Sequence, residues 1–209
     1  MAVKAASASR RVRSPAGIES DDGRALRAQV LTVARSLVAS GAVVGSVGNV
    51  SARFEGGFLI TPTRQPYDAI GPGDLVYVLA DGRARGTYLP SREWRLHAAV
   101  YAARPDVMAT VHTHSPHATA WSFLETELTP SLEENEYYGT GAVRTAPPAP
   151  AGSEALAAGT VNALGSSRAV LLGRHGVVAT GASPEDAAIV AAVVERQAQV
   201  AWLLRGEPA

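Results

Sequence analysis

Two histidines separated by one residue close an apolar run, and this pattern restricts the fold more than any other stretch of the chain. The run is 107–111, and His112 and His114 follow it. Alternate residues of a β-strand share a face, so both imidazoles are predicted on one side of a sheet, about 6–7 Å apart along the backbone. A second apolar run ends at His175 beside Gly176. Three neutral imidazoles with an open fourth position form a catalytic zinc arrangement.

A His-x-His pair is also common as two ordinary strand histidines, so other features must support a metal site. Composition narrows the choices. The chain has 209 residues and no cysteine, which excludes disulfides, thiolate zinc sites and cysteine nucleophiles. The absence of cysteine fits a reducing compartment, and we predict a cytoplasmic protein.

The charge balance and hydropathy point to a small-molecule partner. Nineteen basic and nineteen acidic residues cancel, so nothing in the overall charge favours nucleic acid or an anionic membrane surface. The longest wholly apolar run, 187–194, is far shorter than the roughly 20 residues that cross a bilayer. We therefore predict no nucleic-acid partner and no membrane association.

The sequence divides into a short leader and one domain. Residues 1–18 are small, polar and basic, with no apolar segment behind them, which predicts a disordered leader rather than a secretory signal. Residues 19–209 carry helical and strand patterns without an internal repeat. Periodicity and turn residues predict helices near 26–38, 91–101, 154–164 and 184–204 and a further helix that begins at Pro116, and strands near 50–54, 58–61, 75–79, 107–111, 169–172 and 177–180.

A carboxylate lies near the start of the second predicted helix. Ser91 is predicted as its cap and Glu93 as a first-turn residue, where the helix dipole favours the ionised carboxylate. Ordinary first-turn acids have the same pattern, so position alone leaves the role of Glu93 open. His97, four residues later, shares a face with Glu93 and is predicted as a core or supporting histidine rather than a metal ligand.

A glycine-rich turn at 44–51 leads into the first predicted strand. Glycines let backbone N–H groups approach an anion closely, and Asn49, Ser51, Thr61 and Thr63 add hydrogen-bond donors. No Gly-Lys-Ser/Thr follows, so this is not a nucleotide P-loop. The simpler alternative is a hairpin with a tight turn before it.

Six short motifs in one order resemble the class II aldolase/adducin family, nearest its L-fuculose-1-phosphate aldolase branch. They lie at 48–51, 59–63, 90–97, 104–106, 112–114 and 175–176. The resemblance implies an α/β fold: a single αβα domain with a central, mainly antiparallel sheet and helices on both faces. It also implies a homotetramer with sites between subunits.

The resemblance implies a role for each matching residue. The positions of His112, His114 and His175 bind Zn²⁺, although the donor set also accommodates other divalent metals. Glu93 matches the acid/base that moves the proton next to the substrate carbonyl. The three positions that help to hold the substrate phosphate are Asn49, Thr63 and Ser91.

The chain departs from this branch at three places. Arg64 and Arg92 stand where the aldolases have glycine and serine, and their guanidinium groups either clamp a phosphate or carboxylate or block the old site. The aldolases usually carry a further tail with a tyrosine, whereas this sequence stops at Ala209, so we expect a more open site or another acid. Tyr137 or Tyr138 is a candidate proton donor, and Tyr138 is the one we select.

These observations predict a zinc-dependent aldolase-type lyase that acts next to the ketone of a small, phosphorylated sugar or hydroxy-keto substrate through an enediolate. Lys4 is the only lysine and lies in the predicted leader, so a lysine Schiff base is not expected. Two alternatives remain: an activity like that of ribulose-phosphate 4-epimerases or a decarboxylase, and a non-catalytic adducin-like interaction domain. The epimerase branch has an aspartate near Asn135 and lacks the Ser-x-Glu-Trp pattern.

Overall fold

The computed structural model describes residues 20–129 and 131–205. Over these residues the helices are α1 (Asp21–Ala39), α2 (Trp94–Ala103), α3 (Pro116–Ser122), α4 (Glu133–Tyr137), α5 (Glu154–Leu164) and α6 (Pro184–Arg205). The strands are β1 (Asn49–Phe54), β2 (Gly57–Ile60), β3 (Val76–Leu79), β4 (Ala84–Arg85), β5 (Ala109–Thr113), β6 (Thr145–Ala146), β7 (Ala169–Leu172) and β8 (Gly176–Gly181). The predicted leader lies outside the described residues.

The strands form one sheet in the order β4-β3-β2-β1-β5-β8-β7-β6. Every neighbouring pair is antiparallel except β6 and β7, which are parallel. Helices α1, α3 and α6 cover one face, and α2 and α5 cover the other. The prediction of an αβα domain with a mainly antiparallel sheet is therefore confirmed.

The alternation of side chains along the central strands decides which residues meet α2. Val50 and Ala52 of β1 enter the core with α1 and α6. Asn49 and Ser51 therefore point the opposite way, toward α2, because successive strand residues face opposite sides. On β5 the same rule separates Val111 from His112. The face that α2 covers thus carries the polar residues of the candidate site.

The start of α2 differs from the prediction. The helix begins at Trp94, so Glu93 lies at the cap position and Ser91 two residues before it. Residues 91–94 form a turn in which the Trp94 N–H donates to the Ser91 carbonyl at 3.1 Å. The Ser91 Oγ accepts from the Glu93 N–H at 3.3 Å. The Glu93 carboxylate therefore points from this turn toward the sheet and does not lie on an exposed helical surface.

Helix α6 is, within the described residues, the one helix long and apolar enough to cross a membrane by length and composition. Core helices of soluble proteins pass the same test, so this is weak evidence. Val190, Val194 and Ala198 are buried in the core beneath the sheet. The absence of membrane association stays a prediction.

Candidate metal centre

The three predicted histidines meet at one end of the central strands. Their ring nitrogens lie within 4.8 Å of one another, and the His112 and His114 Nε2 atoms are 2.9 Å apart. His112 and His114 lie at the end of β5, and His175 lies in the turn between β7 and β8. Antiparallel pairing of β5 with β8 places Thr113 opposite Val177, and the turn that contains His175 therefore lies beside His112 and His114.

A glycine at 176 is required for this approach. A Cβ built there would lie 2.3 Å from the Thr113 carbonyl oxygen and 3.2 Å from the His114 ring. Real Cβ atoms do not approach backbone oxygen so closely. Any side chain at 176 would therefore force the turn away from β5 and separate His175 from its two partners.

The orientation of His112 and the charge state of the other two imidazoles suit metal binding. The His112 Nδ1–H donates to the Val177 carbonyl at 2.9 Å, so Nε2 is the ring nitrogen that faces the other rings and Glu93. Burial, and next the charge on His112, lower the pKa of His114 to about 4. The same causes lower the pKa of His175 to about 4. Both rings are therefore neutral at pH 7, which is the form that binds a cation.

Glu93 faces the triad. Its Oε2 atom lies 3.1 Å from His112 Nε2, and its Oε1 atom lies 3.5 Å from His175 Nε2. Burial alone would raise the pKa of Glu93. Its interactions with neighbouring groups, of which the charge and hydrogen bond of His112 are the largest, outweigh burial and hold that pKa far below its usual range. Conversely, burial disfavours charge on His112, yet Glu93 raises its pKa above the ordinary value.

The residues present fit a divalent cation. The Oε1 atom of Glu93 is buried and has no hydrogen-bond partner, although an ionised oxygen in that position requires a donor or a positive charge. Three imidazole nitrogens beside it supply the ligands that Zn²⁺ and several other transition metals accept. Within the part of the chain that the structure describes, this is the one cluster of three such residues close enough to share an ion.

Asn49 joins this cluster through Glu93. It lies directly opposite His112 in the β1–β5 register, and its Nδ2 donates to Glu93 Oε2 at 3.0 Å. The sequence predicted Asn49 only as a phosphate donor. The sequence analysis did not identify Tyr101 as part of the site. The four-residue spacing of Glu93, His97 and Tyr101, which predicts one shared helical face, was the signal that could have identified it.

The other predicted substrate-binding residues line a neighbouring cavity of about 750 Å³. They are Thr63, Arg64, Ser91 and Arg92. Its lining includes a further arginine, Arg95, and no acidic residue. Arg64 has φ +57°, a left-handed conformation in which glycine is favoured, so the backbone here keeps the shape expected of glycine while carrying a guanidinium group.

The cavity is lined by two chain segments, 63–65 and 87–92, together with Trp94 and Arg95, and hydrogen bonds join the two segments. The Thr63 N–H donates to the Leu89 carbonyl at 3.0 Å, and the Ser91 N–H donates to the Thr61 carbonyl at 3.1 Å. Ser91 belongs to the cavity wall and also contacts the Glu93 backbone. The cavity and the histidine cluster therefore adjoin at residues 91–93.

Tyr138 does not join the cluster within its own chain. Its carbonyl accepts from the Arg168 Nη1 at 2.7 Å, and Arg168 directly precedes β7. His175 follows the opposite end of the same strand, which is roughly 13 Å long at about 3.3 Å per residue. The role of Tyr138 as a proton donor stays a prediction.

The fold and the site define an α/β/α protein with a candidate divalent-metal centre beside a buried, ionised carboxylate. The sequence model of the Class II Aldolase and Adducin N-terminal domain matches residues 28–202. The chain belongs to this family, and curated relatives from Escherichia coli and Rhodospirillum rubrum are named aldolases, which supports its assignment as an aldolase-type lyase.

Two curated relatives and one solved structure illustrate the similarity. L-fuculose phosphate aldolase from Escherichia coli O6:H1 is 35% identical over 175 residues, which are 84% of this chain and 81% of that protein. The 5-methylthioribulose-1-phosphate/5-deoxyribulose-1-phosphate aldolase of Rhodospirillum rubrum is 34% identical over 178 residues, or 85% of this chain and 80% of the relative. A structure of L-fuculose 1-phosphate aldolase superposes with a TM-score of 0.84 at 28% identity, covering 93% of this chain and 92% of that chain.

Proposed function

We propose that this protein is a zinc-dependent aldolase that breaks and forms the C–C bond next to the ketone of a small phosphorylated sugar. The observation that carries the proposal is the Glu93 carboxylate, 3.1 and 3.5 Å from the Nε2 atoms of two histidines of the triad. His112, His114 and His175 would hold the metal. When bound, a divalent cation supplies a Lewis acid that stabilises negative charge on the substrate oxygens.

Glu93 is the proposed acid/base. In cleavage, the bond between the carbon next to the ketone and the adjoining carbinol carbon breaks, the carbinol becomes an aldehyde as its hydroxyl proton passes to solvent, and Glu93 takes up one proton from solvent in exchange. The electron pair stays on the ketone fragment as an enediolate, and protonated Glu93 delivers a proton to its carbon. In synthesis, the Glu93 carboxylate removes that proton. Asn49 holds the carboxylate in place, which supports transfer at a fixed atom.

Thr63, Arg64, Ser91 and Arg92 are proposed to hold the phosphate. They line a cavity that adjoins Glu93 and, among the described residues, has no acidic residue in its wall, so an anion there meets donors and positive charge without a repelling carboxylate. The two relatives are named as aldolases of phosphorylated ketoses, which agrees with this choice.

The assembly remains part of the proposal. We infer a cytoplasmic homotetramer with sites between subunits, in which residues 19–209 form the catalytic domain. Tyr137 is 81% exposed and lies beside Tyr138, so this segment is available to a neighbouring subunit. Only in that setting does Tyr138 serve as the donor to the aldehyde half.

A ketose panel tests the reaction. The zinc-loaded protein is incubated with L-fuculose 1-phosphate and 5-deoxyribulose 1-phosphate, and release of dihydroxyacetone phosphate is followed through NADH oxidation by a coupled reductase. We expect release from at least one of these 1-phosphates and none from ribulose 5-phosphate, which has no phosphate on carbon 1. Epimerisation of ribulose 5-phosphate without cleavage of either 1-phosphate would favour the epimerase alternative. Inactivity on the whole panel would leave the adducin-like alternative.

The arginines of the cavity give a separate prediction. A charge-assisted hydrogen bond is worth about 1.5–3 kcal/mol, so Arg64→Ala and Arg92→Ala should each raise KM for the phosphorylated substrate roughly 10- to 100-fold with little change in kcat. Steady-state kinetics provide the measurement. The matched control is Arg83→Ala, because Arg83 is exposed, pairs with Asp81 and lies outside the cavity. An unchanged or lower KM in both variants would show that the arginines obstruct the anion site.

A further inference from the structure

A row of buried polar side chains continues from Glu93 into the protein, away from the three histidines of the triad. It contains Asn49 and Ser51 of β1 and His97 and Tyr101 of α2, all at most 5% exposed. The row forms because the spacing of side chains on one face of β1 matches the spacing on the facing side of α2. Residues two apart on a strand and residues four apart on a helix each share a face, so β1 and α2 present matching pairs to each other.

Each neighbouring pair in the row is hydrogen-bonded. Tyr101 OH lies 2.7 Å from Ser51 Oγ, which lies 2.6 Å from His97 Nδ1. On its other side, His97 Nε2 contacts Asn49 Oδ1. The Asn49 Nδ2 then donates to Glu93 Oε2 at 3.0 Å.

The orientation of the Asn49 amide gives the direction of the hydrogen bonds in the row. Asn49 presents Nδ2 to Glu93 Oε2 and Oδ1 to His97 Nε2, and an amide oxygen only accepts. The His97 Nε2 must then carry the hydrogen. Burial, and next the charge on His112, lower the pKa of His97 to about 3, so the ring is neutral and Nδ1 has to accept from Ser51. Ser51 in turn accepts from Tyr101.

We propose that His97 is a positioning residue for the reaction: it donates through Nε2 to Asn49 and thereby holds the amide in the one orientation that orients the Glu93 carboxylate toward the metal triad. The proposal deepens the proposed function, because it rests on Glu93 as the acid/base. If the amide turned over, its oxygen would face the carboxylate and the hydrogen bond to Glu93 would be lost. Asn49 also keeps a second N–H, which is free to donate to the substrate anion.

The tautomer of His97 tests the proposal without any activity measurement. In protein labelled with ¹⁵N-histidine, long-range ¹H–¹⁵N correlation spectra distinguish the two neutral tautomers. We expect His97 to be the Nε2–H form from pH 6 to 8. The Nδ1–H form, or a charged ring, would overturn the proposal even if the enzyme is an aldolase. An inactive wild-type protein with the expected tautomer would instead reject the proposed function alone.

Variants at His97 then measure its contribution. His97→Leu removes both ring nitrogens, whereas His97→Gln keeps a donor and an acceptor at a spacing close to that of the ring nitrogens. We expect His97→Leu to lower kcat roughly 10- to 100-fold, the range found for residues that orient groups at a metal site, with KM changed less than about 3-fold and bound metal retained. His97→Gln should recover most of kcat.

The matched control makes the same change on the other side of the sheet. His117 lies in α3 and contacts Glu195, and it belongs to neither the triad nor the row. His117→Leu should keep kcat near the wild-type value. A kcat for His97→Leu equal to that of the wild type, or a loss that His97→Gln does not recover, would contradict the proposal. If His97→Leu does not fold, judged by circular dichroism, the tautomer and His97→Gln decide it.

Discussion

Replacement of His112 by alanine is expected to reduce bound metal from one ion per chain to nearly none. His112 is the fully buried member of the triad, its tautomer is fixed by the Val177 carbonyl, and its Nε2 lies 2.9 Å from His114 Nε2 and 3.1 Å from Glu93. Its loss removes a ligand from a site that has only three imidazoles. Aldolase activity should fall with the metal, because the Lewis acid is lost with it.

Elemental analysis after gel filtration measures the effect on metal content. The matched control is His117→Ala, a histidine substitution in α3 outside the triad, which should keep the full metal content. Circular dichroism verifies that both variants fold. Full retention of metal by a folded His112→Ala protein would remove His112 from the ligand set, and the proposed metal centre with it.

Substitution of Glu93 by glutamine should separate metal binding from proton transfer. Glutamine has nearly the same shape and keeps an oxygen near Asn49, and the three imidazoles remain, so we expect the metal to stay bound. General acid–base catalysis typically contributes about 10²- to 10⁴-fold, and loss of the carboxylate should reduce exchange of the α-proton by that amount. The aldol reaction should fall at least as far.

The measurement is the incorporation of deuterium into dihydroxyacetone phosphate in D₂O, followed by ¹H NMR without added aldehyde. This isolates the proton transfer from cleavage of the C–C bond. Glu134→Gln is the matched control, since Glu134 is surface-exposed and pairs with Arg196 on another part of the molecule. Undiminished exchange in a metal-loaded Glu93→Gln protein would assign the base to another residue.

The sequence predicted the parts of the fold that local patterns encode. The period of two along β5 placed His112 and His114 on one face, and capping residues located α1, α3, α5 and α6 to within a few residues. The short elements β4, β6 and α4 were not predicted, because two to five residues are too few to establish a period. The mainly antiparallel sheet came only from the family resemblance, and the order of its strands was not predicted.

The sequence predicted most residues of the candidate site but few of the contacts between them. The approach of His175 to β5 depends on the pairing of β5 with β8, a contact between segments distant in sequence that no local pattern encodes. Similarly, Asn49 reaches Glu93 because the β1–β5 register sets it opposite His112. The first turn of α2 was placed wrongly because the turn at 91–94 makes helix-like hydrogen bonds before the helix begins.

The cavity beside Glu93 has a consequence for how substrate preference can change. Its walls are mostly two connecting segments, 63–65 and 87–92, whereas the three histidines lie at the end of β5 and in the turn between β7 and β8. Substitutions at Arg64 or Arg92 can therefore alter which anion is accepted while leaving the reactive groups in place. A few substitutions in these segments, natural or engineered, would therefore be enough to change which sugar the protein prefers.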